Sequence, residues 1–173
     1  KFFSILKNNI NITGNILINM SENHIEVTEN KTTTITRIIK ESFPDFNSVI
    51  PDQKNNKVKI KANDLNEAVK RVSIFSNKTT KQIILSFENN EIVVSTEDKE
   101  TKSSAKEHIS CDFEGEKMSI AYNAQYLREV VQHLDNKNIN IFLGTARTAA
   151  IFKPGEEKEK TKLTALLMPL RTT

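Results

Sequence analysis

The sequence predicts an α+β fold in which helices cover one face of antiparallel sheets. Two observations support it. Apolar residues change from period two to period 3.6 and back in a fixed order, one strand, one helix and three strands, and that order is repeated. The two clearest copies follow one another between Lys57 and Arg171, and a partial copy precedes them. The full copies together are expected to make one domain, with their helices side by side on a single continuous sheet layer and an approximate twofold axis between them.

The first copy runs from Lys57 to Phe113. Lys57-Val58-Lys59-Ile60-Lys61 alternates as a half-buried strand does, after which Leu65, Ala68, Val69 and Val72 recur at helical spacing. Ile83, Leu85 and Phe87 alternate up to a polar turn at Glu88-Asn89-Asn90, and Ile92-Val93-Val94 leads back, which is a hairpin. An extended segment from about Ala105 to Phe113 closes the unit ahead of Gly115.

The second copy opens with Met118 and Ile120. Asn123 announces its helix, because an asparagine side chain accepts hydrogen bonds from the free amides of a first turn. Ala124, Leu127, Val130, Val131 and Leu134 supply the apolar stripe. Ile139, Ile141 and Leu143 lead into a turn near Gly144-Thr145-Ala146, and Ala149 and Ile151 lie on the returning strand. After a charged loop from Gly155 to Lys162, the run Leu163 to Leu170 gives the last strand and ends in Met168-Pro169-Leu170-Arg171.

Upstream, Lys1 to Lys7 reads as the end of a helix, Ile16, Ile18 and Met20 face Ile25 and Val27 across a hairpin, and an extended piece continues to Ile39. The chain opens at Lys1 without a methionine and this copy lacks a first strand, so a fragment of a longer protein is expected. Phe43-Pro44-Asp45-Phe46 and Val49-Ile50-Pro51 follow, and two prolines so close together favour a rigid connector over a continuing element. The expected boundary lies near Pro51, giving residues 1–51 as a partial domain with its linker and residues 52–173 as a complete one.

Composition bounds the function. A chain of 173 residues buries on the order of 70% of its extended surface on folding, enough for a real core. With 37% hydrophobic and 27% charged residues and no long polar tract, it is globular rather than disordered. No apolar run approaches the roughly 20 residues of a membrane span and no signal-peptide pattern opens the chain, so a cytoplasmic protein is expected. The single Cys111 excludes an internal disulfide and a cysteine-built zinc site, in keeping with a reducing compartment. The formal charge is +3, from 25 basic against 22 acidic residues, with no dense basic cluster, so any DNA binding has to be loose or local.

Four strings connect the repeat to a family. Ser42-Phe43-Pro44-Asp45-Phe46 with Val49-Ile50-Pro51 resembles the linker between the second and third domains of the bacterial DNA sliding clamp family, the ring-forming β subunit of DNA polymerase III. Arg71-Val72-Ser73-Ile74-Phe75-Ser76-Asn77 resembles the first helix of the family's third domain. Tyr122-Asn123-Ala124-Gln125-Tyr126-Leu127 resembles the start of its last helix, and Met168-Pro169-Leu170-Arg171 its C-terminal tail. Order and spacing agree, and the resemblance covers the whole chain as the later half of domain two and all of domain three in the DNA clamp fold. It implies a non-catalytic processivity factor without a cofactor, in which two three-domain subunits join head to tail, as a homodimer, around double-stranded DNA. Helices line the hole and sheets lie outside. A ring that encloses DNA needs no tight grip, which suits the mild charge. Lys70 and Arg71, beside the apolar stripe of their helix, and Arg128 are the candidates for facing DNA without reading its sequence.

Turning about 100° per residue from Leu65, the residues Leu65, Ala68, Val69 and Val72 cluster and Ile74 falls on the opposite side. Ile74 and Phe75 match the positions where the family's third domain meets the first domain of the neighbouring subunit, so they are assigned to the ring interface. Without that first domain, this chain is not expected to close a ring or confer processivity. The resemblance also implies a pocket, walled by two domains, for short linear peptides of DNA polymerase III alpha, the clamp loader, other polymerases and repair proteins. The matching residues are Pro44, Ser48, Val49, Asn123, Tyr126, Leu166, Met168, Pro169, Leu170 and Arg171, with Arg147 and Thr148 at the rim. Methionine and leucine make an adaptable apolar floor, while Tyr126 and Asn123 can orient a peptide by hydrogen bonds. Ser48 stands where the family often has arginine, and Thr172-Thr173 extend past Arg171, departures that bear on affinity and motif preference.

No motif organises catalysis. His24, His108 and His133 lack metal-ligand spacing and read as surface histidines. Glu97-Asp98 and Glu156-Glu157 lie in lysine-rich connections, where solvated charge is the ordinary explanation. Four scattered glycines form no phosphate loop, and Cys111, on an expected strand, reads as buried rather than nucleophilic. Two rival readings stay open, an α+β protein-interaction module unrelated to replication and a small-molecule enzyme whose site residue spacing does not reveal. Binding of a clamp-type peptide discriminates among the three.

Overall fold

The structure, a computed structural model, describes residues 2–9, 15–43, 45–51, 56–134, 137–156 and 162–171. The chain divides into two compact units, Lys1–Pro44 and Asp45–Thr173. In the first, α1 (Phe2–Asn9) precedes a sheet of β1 (Leu17–Met20), β2 (His24–Glu29) and β3 (Thr32–Arg37) in that order. The β1–β2 hairpin sets Ile18 opposite Val27 and Met20 opposite Ile25, as the alternation predicts, and Leu6 and Val27 are buried.

The second unit opens with a 3-10 turn, Phe46–Val49, and β4 (Asn56–Lys61). Then come α2 (Ala62–Ser73), β5 (Gln82–Glu88), β6 (Glu91–Asp98), β7 (Ser103–Ser110) and β8 (Asp112–Glu114). The second copy supplies β9 (Met118–Asn123), α3 (Ala124–His133), β10 (Asn138–Leu143), β11 (Ala150–Pro154) and β12 (Ala165–Leu167).

The two copies interlock. One sheet has the order β7-β6-β5-β9 and the other β12-β11-β10-β4-β8, so the first strand of each copy joins the hairpin of the other. All pairings are antiparallel, with Asn123 opposite Gln82 where β9 meets β5 and Lys61 opposite Asn138 where β4 meets β10. The helix starts obey the same rule. The Ala124 amide donates to the Lys81 carbonyl and the Ala62 amide to the Lys137 carbonyl, each at 2.9 Å. Equivalent residues making equivalent bonds across the two copies is what an approximate twofold axis requires.

The sheet layer expected to be continuous consists of two sheets, because the extended segment predicted from Ala105 to Phe113 breaks at Cys111. Its first part, β7, pairs with β6, whereas β8 pairs with β4. The Cys111 amide donates to the Asn90 carbonyl at 2.9 Å, which holds the break against the β5–β6 turn. Cys111 therefore lies between strands and is half-buried, a correction to its expected place on one. The last strand is also shorter than the predicted Leu163 to Leu170. Pro169 has no amide to give a ladder, and the Leu170 amide is taken by the Ala121 carbonyl of β9 at 2.8 Å.

The helices pack against each other and over the sheets, where their apolar stripes meet. Leu65, Val69 and Leu127 are fully buried, together with Ile83 and Phe87 from one sheet and Ile139, Ile141 and Phe152 from the other. Each such side chain contributes about 1.5–3 kcal/mol relative to exposure, so this shared core makes one domain of the two copies.

Candidate functional site

The chain's tail and the start of α3 are brought together by strand register. Leu167, at the end of β12, lies opposite Ala150, just past the β10–β11 turn that carries Arg147 and Thr148. The tail then crosses to β9 through the bond from Leu170 to Ala121, and α3 begins directly after β9. Helix α3 also packs on β12. Residues distant in sequence thus occupy one corner of the second unit.

Asn123 fixes that corner. Its side-chain oxygen accepts from the amides of Gln125 at 2.9 Å and Tyr126 at 3.3 Å, and its side-chain nitrogen donates to the Thr80 carbonyl at 3.1 Å. The side chain caps α3, as its place before the helix predicts, and ties it to the loop after α2. Lys81 strengthens the tie by donating from Nζ to Gln125 Oε1 at 2.6 Å.

With the backbone so held, Tyr126 and Met168 stand 57% and 61% exposed, while Leu167 between β11 and the core is buried. Leu166, Pro169 and Leu170 are half-buried and Arg171 is exposed. At the rim, Thr148 shapes the turn, with its hydroxyl accepting from the Thr145 amide at 2.8 Å, and Arg147 stays exposed. The turn is anchored from below by Asn56, which donates to the Gly144 carbonyl at 3.3 Å and accepts from the Glu116 amide at 2.9 Å. Gly115 permits this approach, because a Cβ there would come within 2.2 Å of Asn56 Oδ1. Ser48 belongs to the 3-10 turn and donates its hydroxyl to the Asp45 carbonyl at 2.7 Å. Val49 ends that turn, and Pro44, Glu157, Thr172 and Thr173 lie outside the described residues.

The three cations assigned to DNA differ in their side-chain partners. Arg71 reaches β7, where its guanidinium grips Glu107 through two nitrogens, with Nε at 3.1 Å. The hydrogen bond to Arg71 holds the Glu107 carboxyl below its ordinary range, and the same bond raises the guanidinium. Lys70 lies 3.8 Å from Glu67. Arg128 instead enters the groove between α2 and α3, donating to Asn66 Oδ1 at 3.2 Å, and that groove also carries Lys78, Lys81 and Gln132.

Helix α2 ends at Ser73, and Ile74 and Phe75 follow with 75% and 45% exposure, on the side away from the buried stripe. The histidines are dispersed. His24 begins β2, His108 meets Glu91 at 2.9 Å across β6 and β7, and His133 lies against the Glu129 carbonyl. Among the described residues no group of His, Cys, Asp and Glu could hold a metal ion, and no helix is long and apolar enough to cross a membrane. Asp98 differs from its expected solvated state, being only 6% exposed and bonded on both oxygens. The contacts missed from sequence are the backbone carbonyls of Thr80, Lys81 and Ala121, which depend on the pairing of β9 with β5 and carry no side-chain signal.

A domain of two strand-exchanging copies, closed by a tail that docks at the start of its second helix, is of the DNA sliding clamp type. A solved sliding clamp from Bartonella birtlesii bound to griselimycin superposes with a TM-score of 0.86 at 23% identity, over 98% of this chain and 44% of that one. A DNA polymerase III beta subunit from Thermotoga maritima gives 0.77 at 21% identity, over 91% and 42%. The sequence profile of the family described as DNA polymerase III beta subunit, C-terminal domain, matches residues 47–171, and the chain belongs to that family. Curated relatives named beta sliding clamp include one from Pseudomonas putida, 25% identical over 91% of this chain, and one from Staphylococcus epidermidis, 26% identical over 80% of it. The chain spans 42% and 36% of those two relatives.

Proposed function

We propose that this chain is the peptide-docking and ring-joining portion of a bacterial DNA sliding clamp, the processivity factor of the replicative DNA polymerase. In this role it holds and recruits; it does not catalyse. The observation that carries the reading is the corner where the tail meets α3. Two large side chains, Tyr126 and Met168, are left exposed on a backbone that hydrogen bonds hold rigid, and Leu166, Pro169 and Leu170 lie half-buried in the same tail. Rigid, exposed apolar groups lose little entropy on binding and suit short linear peptides. Arg147 and Arg171 flank them, with no carboxylate among the assigned residues, which favours peptides carrying acidic groups.

In the same reading, Ile74 and Phe75 join the neighbouring subunit's first domain in a homodimeric ring. Lys70 and Arg128 face double-stranded DNA weakly and without sequence preference, with Arg71 drawn toward Glu107. The partners are DNA polymerase III alpha, clamp-loader subunits, other polymerases and repair proteins, and the compartment is the cytoplasm.

The test is titration of a fluorescent polymerase-type clamp-binding peptide. Tyr126→Ala and Met168→Ala should each weaken it about tenfold, the loss common for a central anchor, without lowering the melting temperature. Unchanged affinity in both variants, or no binding at millimolar peptide, would remove the docking assignment.

A further inference from the structure

Between β6 and β7 a buried carboxylate reaches toward the loop that carries Ile74 and Phe75. Asp98 ends β6 and is 6% exposed. Its Oδ2 accepts from the Thr101 hydroxyl at 2.9 Å, and its Oδ1 accepts from the Glu100 amide at 3.2 Å and from Asn77 Nδ2 at 3.4 Å. Asn77 is then committed at its other end, where Oδ1 accepts from the amides of Thr79 at 3.0 Å and Thr80 at 3.2 Å. One carboxylate therefore anchors the side chain that shapes the turn from Asn77 to Thr80.

A second route reaches Phe75 itself. Ser103 Oγ lies 3.2 Å from the Phe75 carbonyl and 2.8 Å from Thr101 Oγ1. Thr101 gives its proton to Asp98, so toward Ser103 it can only accept, and the single Ser103 proton is divided between Thr101 and Phe75. The route through Asn77 is direct but long, at 3.4 Å, and the route through Ser103 is shared. Both reach the loop after α2, in which short-range bonds hold Ile74 to Arg71 at 3.3 Å, Phe75 to Val72 at 3.1 Å and Ser76 to Ser73 at 3.1 Å, while Thr80 and Lys81 are tied to the start of α3.

We infer that Asp98 is a positioning residue for subunit association, latching the β6–β7 turn to the loop after α2 so that Ile74 and Phe75 are presented in one fixed conformation. The inference rests on the reading of Ile74 and Phe75 as the ring interface. Asp98 itself is too buried to touch a partner, so it acts through the loop. An apolar pair on a fixed loop loses less entropy on docking than one on a loop that must be ordered first.

Two measurements test it. Hydrogen exchange on this chain should show the amides of Thr79, Thr80 and Lys81 exchanging at least about tenfold faster in Asp98→Ala, with β10 unchanged. Ser103→Ala should give a smaller change centred on Phe75, which keeps the test available if Asp98→Ala folds poorly. In the full-length protein, sedimentation should show weaker association for Asp98→Ala well below its melting temperature, and loss of association for Ile74→Ala/Phe75→Ala. Exchange unchanged between residues 74 and 81 overturns the latch. If the double variant still associates as the parent does, the interface reading fails whatever the exchange data say. If the double variant dissociates but Asp98→Ala associates normally, the interface stands and the positioning role does not.

Discussion

Replacing Asn123 by alanine removes one side chain from the junction of β9, α3 and the loop after α2. Two losses follow. The helix cap, with two amides held by Oδ1, is worth about 1 kcal/mol. The bond from Nδ2 to the Thr80 carbonyl adds about 1 kcal/mol for a net intramolecular hydrogen bond. A domain of this size shifts by about 3–5 °C per kcal/mol, so Asn123→Ala should lower the second unit's transition by about 6–10 °C in a circular dichroism melt. Asn123→Asp keeps the acceptor, adds a charge suited to a helix N-terminus and loses the donor, so it should recover roughly half of the loss. The peptide titration supplies the second axis. If Asn123 acts by placing Tyr126, affinity should return with stability in the aspartate variant. A melt of Asn123→Ala within about 1 °C of the parent would refute the structural account. Restored stability with unrestored affinity would show that the asparagine touches the peptide directly.

Two further outcomes follow from titratable groups. Arg71 holds the Glu107 carboxyl below its ordinary value of 4.5, so their contact stabilises the fold above that pH and loses its effect as pH falls through the lowered value. Glu107→Gln should therefore be less stable than the parent at neutral pH, with the gap closing on acidification in pH-dependent urea melts. A gap of constant size down to about pH 3 would contradict this. Burial pushes the Cys111 thiol up to about 11, with Asp112 and Glu91 adding to the shift. Iodoacetamide at pH 8 should label it on the order of a hundredfold more slowly in the native chain than in urea, as followed by mass spectrometry, and equal rates would refute the assignment.

The stripes were legible because burial on one helix face leaves a period in the sequence. Leu65, Ala68, Val69 and Val72, and likewise Ala124, Leu127, Val131 and Leu134, are buried where that period places them. The Asn123 cap was legible for a similar reason, since it is a local event within three residues. The exchange of β4 and β9 between copies was not, because an antiparallel strand carries the same alternation whichever partner it finds. Composition alone misplaces Asp98. Lys99, Glu100 and Lys102 surround it and signal a solvated turn, yet the carboxylate turns inward to Thr101 and Asn77. The break at Cys111 and the early end of β12 show the same limit. The apolar pattern continues through both, and hydrogen-bond partners from elsewhere decide where the ladder stops.

That last point bears on why the corner proposed for peptide docking belongs to the second copy. After the last long strand of the first copy, the chain bends and β8 returns to the copy's own first strand, with Phe113 opposite Val58 and Glu114 opposite Lys57. After β12 the chain does the equivalent thing, returning to β9 through Leu170 and Ala121. The tail is thus the counterpart of β8, but Pro169 removes an amide where a ladder would continue, and a strand does not form. Residues of a fully paired strand would have been covered by or aligned with their neighbours. Here Met168 is held in place and left uncovered, beside a helix whose start is capped by Asn123, whereas the equivalent start of α2 follows Lys61 and has no side-chain cap. The approximate symmetry builds two similar corners. The proline and the asparagine differentiate one of them, leaving Tyr126 and Met168 exposed on a fixed frame, the arrangement on which the proposed peptide docking rests.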